Sequence, residues 1–189
     1  MSDKIKILAI SGSLRTNSAN TNILRTLAST ASENIDVILY DGLADLPHFN
    51  PVLDDENFSE PVKKFRQLLS SVNGVIICTP EYAFGVPGSL KNALDWTVSS
   101  GEFTNKPVAI ITASLGGEKG HAALLQIFTA LSSRIADGAA LLIPFIRTKL
   151  NEKGDVSDPD TLQSIRLVLN VLLACIKKQL LYPDLIFEE

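Results

Sequence analysis

At 189 residues the chain is long enough for one full-sized core and short for two, and its 46% apolar and 20% charged side chains are those of an ordinary globular protein. A net charge of −4, a pI near 5.2 and the absence of any basic tract argue against a nucleic-acid partner, because neutralising phosphates in series takes cations in series. The first ten residues, MSDKIKILAI, lack the apolar stretch of a signal peptide, and the longest apolar region, Leu167 to Ile176, is far short of the ~20 residues that span a bilayer, so no membrane role is expected.

Ile5 to Ile10 (IKILAI) reads as a buried strand ending in Ser-Gly-Ser. Asn20 to Ser32 carries Ile23, Leu24, Leu27 and Ala31 at helical spacing, and Ile35 to Tyr40 (IDVILY) is a second strand. Residues 41–60 form a polar, proline-bearing loop, after which Pro61 opens a helix through Val62, Phe65, Leu68 and Leu69. Val75 to Cys78 is a third strand, followed by the loop TPEYAFGVPGS and a helix over Leu90 to Val98. Pro107 to Ala113 is a fourth strand, then comes a Gly-Gly loop and a helix from Gly120 to Ala136, and Ala139 to Ile143 is a fifth strand. Asp158–Pro159 starts a last helix running to Lys178, apolar around much of its circumference and expected to be largely buried.

Strands that alternate with helices and are themselves continuous apolar runs imply a parallel sheet covered on both faces. No linker or composition shift divides the chain, and the whole of residues 1–189 is expected to form a single domain. Cys78 falls in a strand and Cys175 in a helix, where both are expected as buried free thiols, which suits a reducing cytoplasm.

In such a sheet ligands bind beyond the carboxyl ends of the strands, so the loops after strands one, three and four are the ones to read. The first, SGSLRTNSAN, combines hydroxyls, Arg15 and a helix start, a combination that attracts a phosphate; an ordinary helix cap by Ser18 or Asn20 explains the same residues. It is neither a Walker loop nor a G-x-G-x-x-G turn, which disfavours nucleotide hydrolysis and a standard dinucleotide site and leaves a terminal phosphate such as a mononucleotide's. In the second, Pro80 and Pro87 push their predecessors toward extended backbone, so the loop is expected to be stiff and suited to reading the edge of a flat heterocycle, with Tyr82 and Phe84 over its face. Trp96 reads as core or subunit packing, and Glu81 as solvated or cap-related outside such a site. The third, SLGGEKG, offers Gly116 and Gly117 for close backbone approach, or simply for a tight turn. His121 reads as a helix-terminal histidine, and His48 is given no role.

Taken together the three loops resemble those of the NAD(P)H-dependent FMN reductase family of flavodoxin-like proteins, which includes quinone, azo-dye and chromate reductases. The family's G-S-x-R-x-x-S-x-N segment is matched by Gly12, Ser13, Arg15, Ser18 and Asn20. Its P-E-Y-N…P-G-x-L-K-N-A-x-D-W segment is matched by Pro80, Glu81 and Tyr82, then Pro87, Gly88, Leu90, Lys91, Asn92, Ala93, Asp95 and Trp96. The third loop fits the family's S-x-G-x-x-G-G pattern more loosely.

The resemblance implies a flavodoxin-like three-layer sandwich with strand order 2-1-3-4-5. By it, Ser11, Ser13, Arg15 and Ser18 hold the FMN phosphate with Asn20 beside them. Pro80, Glu81, Tyr82, Ala83 and Phe84 line the ring and ribityl, and Ser114, Gly116 and Gly117 approach the opposite edge of the flavin. Two departures stand out: Ala83 occupies a position where the family has Asn, and Phe84 one where it has a small polar residue. One side-chain hydrogen bond is thereby lost, and a large ring is placed near the flavin face.

The implied activity is NAD(P)H:acceptor oxidoreduction by ping-pong hydride transfer through flavin N5, with no catalytic side chain and no metal. The implied partners are a small-molecule acceptor such as a quinone or flavin, and copies of the chain in a homodimer or homotetramer. The apolar stripe Leu124, Leu125, Ile127, Phe128, Leu131 and Ile135 is wider than one sheet face needs and points to the same assembly. A flavodoxin-type electron carrier and a non-catalytic phospho-ligand domain are the competing readings of the same scaffold.

Overall fold

The computed structural model describes residues 4–53 and 59–182. The elements are β1 (Ile5–Ser11), α1 (Ala19–Thr30), β2 (Ile35–Tyr40), α2 (Glu60–Ser71), β3 (Gly74–Thr79), α3 (Gly88–Asp95), β4 (Val108–Ala113), α4 (Glu118–Ala130), β5 (Ala140–Ile143) and α5 (Pro159–Leu181). The sheet is parallel throughout, in the order β2-β1-β3-β4-β5, as the resemblance implies.

Alternation along the inner strands builds the two cores. Ile7 and Ala9 of β1 point to one face, where Ile23, Leu24 and Leu27 of α1 and Ile165, Leu169 and Leu172 of α5 pack. Leu8 and Ile10 point to the other, against Val62 and Phe65 of α2, Leu90 and Leu94 of α3, and Leu124 and Phe128 of α4. All six residues of β3 and of β4 are buried. Burial on both faces demands apolar side chains at every position, which is why these strands read as unbroken apolar runs.

Several expectations change. The edge strands β2 and β5 are only part-buried, since each has a neighbour on one side alone. Helix α5 buries one stripe and leaves Leu167 and Leu180 exposed, so it covers the sheet with one face only. Helix α4 stops at Ala130 rather than Ala136 because Ser132 turns left-handed (φ 54°), and the amides of Ser132 and Ser133 donate back to the carbonyls of Thr129 and Phe128. Both cysteines are free thiols, with Cys78 fully buried but Cys175 only half-buried. The loop expected over residues 41–60 contains two short 3-10 turns, Gly42–Ala44 and Pro51–Leu53, and its residues 54–58 lie outside the described residues.

Candidate functional site

Between β1 and β3 the direction of winding reverses, and there the loops after the two strands diverge to opposite faces. The close approach of these loops depends on Gly12, where a Cβ would lie 2.2 Å from the Thr79 hydroxyl oxygen. The β1–α1 loop is braced from within. The Thr21 hydroxyl donates to Ser11 Oγ (2.9 Å), the Ser13 amide donates to Ser11 Oγ (3.3 Å), and the Arg15 amide donates to Ser13 Oγ (3.4 Å). Ser18 caps α1 by accepting from the Asn20 amide (3.2 Å). Asn20 in turn accepts from the Cys78 thiol (3.2 Å), pinning the helix start to β3. Burial raises the Cys78 pKa well above the ordinary thiol value, so it stays protonated and able to donate.

The stiffness of the β3–α3 loop has a different origin from the one its prolines suggest. Tyr82 and Gly85 exchange both backbone hydrogen bonds at 3.0 Å, closing a two-residue turn over Ala83 (φ 49°) and Phe84 (φ 58°). Positive φ at both central residues is the geometry of a type I′ hairpin turn, for which Asn and Gly are the usual occupants. Phe84 is 79% exposed at its tip and is absent from the cleft lining.

Glu81 locks this loop to the next one. Its amide donates to Ser114 Oγ (3.2 Å), and its carboxylate accepts from the Gly120 amide in the first turn of α4 (2.6 Å), where the partial positive charge of the helix end favours it. Gly120 allows the approach, since a Cβ there would meet Glu81 Cγ at 3.1 Å. The second half of the motif is structural. Trp96 Nε1 and Asn92 Nδ2 both donate to the Pro47 carbonyl, at 2.8 and 3.0 Å, and the Phe49 amide donates to Asn92 Oδ1 at 2.7 Å, fastening the β2–α2 connection over α3.

A cleft of about 340 Å3 opens where these loops meet. It gathers Ser13, Arg15, Ser18 and Asn20 from the first loop, Pro80 and Tyr82 from the second, and Ser114 from the third. Ser11 lines an adjoining depression that shares Ser13 and Arg15 with the cleft and reaches Tyr40, and Ser11, Glu81 and Ala83 are absent from the cleft lining. Gly116 and Gly117 are also absent from it: Gly117 (φ 114°) backs onto β5, where a Cβ would lie 2.9 Å from Leu142 Cδ1. A larger, shallower hollow of about 700 Å3 lies along α2, beside Lys63, Gln67 and Glu102, away from all three loops. His121 lies outside the cleft lining, its Nδ1 2.9 Å from the Thr112 hydroxyl, and His48 is exposed.

Several contributors were missed from the sequence, among them Leu115 and the turn after β5. Phe145 (φ 53°) and Arg147 also line the cleft, from the Ile146–Lys149 turn after β5. That turn is tied to the third loop by the Phe145 and Ile146 amides, which donate to the carbonyls of Leu115 (3.0 Å) and Ser114 (3.1 Å). The sequence offers only Pro144 as a hint, because nothing local marks the loop after the last strand as part of the site.

The donor set suits a flavin mononucleotide. The β1–α1 loop brings the Ser13 and Ser18 hydroxyls, the Arg15 side chain and the start of α1 to the cleft, residue types that suit a phosphate, and Pro80, Tyr82 and Ser114 line the cleft beside them. Among the described residues no group of three or more His, Cys, Asp or Glu side chains is placed to hold a metal ion.

A doubly wound sheet with a phosphate loop and a ring-sized cleft at its switch point defines a flavodoxin-like nucleotide-binding protein. Residues 5–147 match the profile of the family described as NADPH-dependent FMN reductase, and the chain belongs to that family. It is thereby an FMN-using, NAD(P)H-dependent oxidoreductase. It is 33% identical to a quinone reductase of Escherichia coli strain K12 over 172 residues, covering 87% of this chain and 92% of that one. It is 31% identical to an NADPH azoreductase of Bacillus sp. strain OY1-2, covering 82% and 89% of the respective chains. Among solved structures, FerB, a flavoenzyme NAD(P)H:(acceptor) oxidoreductase from Paracoccus denitrificans, superposes with a TM-score of 0.80 at 24% identity, covering 92% of this chain and 98% of that one.

Proposed function

We propose that this enzyme passes electrons from NAD(P)H to a small-molecule acceptor, such as a quinone, with both substrates using the same cleft in turn. The observation that supports it most directly is the convergence of Ser13, Arg15, Ser18, Pro80, Tyr82 and Ser114 on one cleft at the switch point. The relatives named for quinone and azo-compound reduction agree with an acceptor of this kind. FMN held in this cleft would supply the two-electron chemistry between the two substrates.

The protein binds, orients and shields. Arg15 and the hydroxyls of Ser13 and Ser18 hold the phosphate, while Ser11 and Asn20 keep that loop in shape. The Tyr82–Gly85 turn and the Glu81–Gly120 bond hold one wall at a fixed distance from α4, so the ring's surroundings are set before it binds. No side chain has to move a proton. The cleft residues Tyr82, Leu115 and Phe145 are exposed and largely apolar, which suits planar acceptors.

The enzyme acts as a homodimer or homotetramer in a reducing cytoplasm. An apolar groove between α3 and α4, lined by Leu94, Val98, Ile127, Ala130 and Leu131, gives the assembly a surface. Among the described residues no helix is long and apolar enough to cross a membrane.

The test is the visible spectrum of the purified protein before and after anaerobic NADPH, followed by initial rates with NADPH and a quinone. A flavin band that bleaches, with parallel double-reciprocal lines, is expected. Intersecting lines would remove the shared site. A band that NADPH leaves unchanged would favour the electron carrier, and no band after adding FMN would favour the phospho-ligand domain.

A further inference from the structure

Asn20, the second residue of α1, is only 4% exposed, and the cleft is where it surfaces. Its amide has two ends of opposite character, an oxygen that accepts and a nitrogen that donates. The oxygen has a partner. Asn20 Oδ1 accepts from the Cys78 thiol at 3.2 Å, whereas among the described residues Asn20 Nδ2 has no hydrogen-bond partner. That nitrogen is not sealed in: among the described residues, the buried side-chain N and O atoms left without a partner reduce to Gln179 Oε1, near the end of α5. The unused donor of Asn20 therefore opens on the cleft, beside Ser13, Arg15 and Ser18.

The thiol decides which end faces out. Cys78 is fully buried in the core that α1 covers, in the same cluster as Ile7, Leu24 and Ile76, and it is absent from the cleft lining. An S–H set against the amide oxygen makes a hydrogen bond. The reversed amide would set an NH2 donor against sulfur, a weak acceptor, and would turn a carbonyl oxygen toward the cleft. Burial keeps the thiol protonated, so the donor is present at neutral pH. The difference matters for an anion: an oxygen facing the cleft repels a phosphate, whereas an amide nitrogen donates to it.

We infer that Cys78 is a positioning residue for the cofactor: its thiol holds the Asn20 amide with the nitrogen toward the cleft, where that nitrogen donates to the phosphate of FMN. This inference rests on the phosphate position proposed above. It gives Asn20 a part beyond keeping the loop in shape, and it gives a buried thiol a part in binding although the thiol touches no ligand.

The test compares the natural full chain with Cys78→Ser, Cys78→Ala and Asn20→Asp, each prepared free of flavin and titrated with FMN and with riboflavin, which lacks the phosphate. Quenching of flavin fluorescence reads both affinities without turnover, and a packing defect moves the two together, so their ratio isolates the phosphate. Cys78→Ser keeps a donor and should hold the natural FMN-to-riboflavin ratio within about threefold. Cys78→Ala frees the amide to turn and should lower the ratio about tenfold by weakening FMN alone. Asn20→Asp keeps an acceptor for Cys78 but puts a carboxylate oxygen in place of the donor, and should lower the ratio about a hundredfold. An acid in the first turn of a helix is favoured, so this variant is expected to fold. In the natural chain the Asn20 side-chain NH2 resonance should shift with FMN and not with riboflavin. An equal fall of the ratio in Cys78→Ser and Cys78→Ala would overturn the inference, as would an Asn20→Asp chain with the natural ratio or an NH2 resonance that riboflavin moves as far as FMN does. Failure of the proposed function looks different: the ratios come out as stated, but NADPH does not bleach the bound flavin.

Discussion

Single residues in this site divide into those that touch a ligand and those that shape the backbone around it. Arg15, which lines the cleft, is proposed for the first group. A charge-assisted hydrogen bond is worth about 1.5–3 kcal/mol, so Arg15→Ala should weaken FMN binding roughly tenfold to a hundredfold, as read by quenching of flavin fluorescence. Ala83 belongs to the second. Its left-handed backbone costs an L-residue about 1–2 kcal/mol, a cost that Asn or Gly largely avoids. Ala83→Asn should therefore raise unfolding stability by roughly 1 kcal/mol in a urea titration, without changing the cleft. A fall in the midpoint would mean that the turn is not the one described. The Asn found at this position in the family thus has a backbone explanation, independent of any bond to the flavin.

At the scale of elements, the loops are held by bonds between distant parts of the chain. Glu81 reaches Gly120, Ser114 reaches Glu81, and Trp96 reaches Pro47. Helix α4 adds a pH dependence. His121 in its first turns is half-buried against Thr112, and burial lowers its pKa below the ordinary value of 6.5. The unfolded chain then binds a proton more readily than the folded one as pH falls below about 6.5, so the folded state loses stability on acidification. The urea midpoint is expected to drop between pH 7 and pH 5, and His121→Gln should flatten that drop. An identical pH profile in the variant would show that His121 contributes nothing to it.

At the scale of the whole molecule, exposed apolar side chains lie beside the cleft, along α5 and at the α3–α4 groove, among other places. Val98, 64% exposed beside that groove, has no covering element among the described residues. A second copy seated there would bury it, and light scattering should give two or four times the 20.4 kDa chain mass. A mass near 20 kDa would leave the groove without the partner proposed for it.

The sequence by itself determined the five strands, the parallel sheet and the two loops that carry the family's motif, because apolar periodicity, glycine and proline act locally. Ser13, Arg15, Ser18 and Tyr82 were legible for the same reason: they stand next to a strand end or a helix start. What only the tertiary structure decided is which of those residues face the cleft. Gly117 and Ser11 satisfy the motif yet are absent from the cleft lining, Gly117 backing onto β5, and Arg147 satisfies no motif yet lines the cleft. The reason is physical. A strand's identity follows from its own side chains, but the wall of a cleft is made by segments that meet only after the sheet has ordered them, and β5 brings its turn to Ser114 from 32 residues further along the chain.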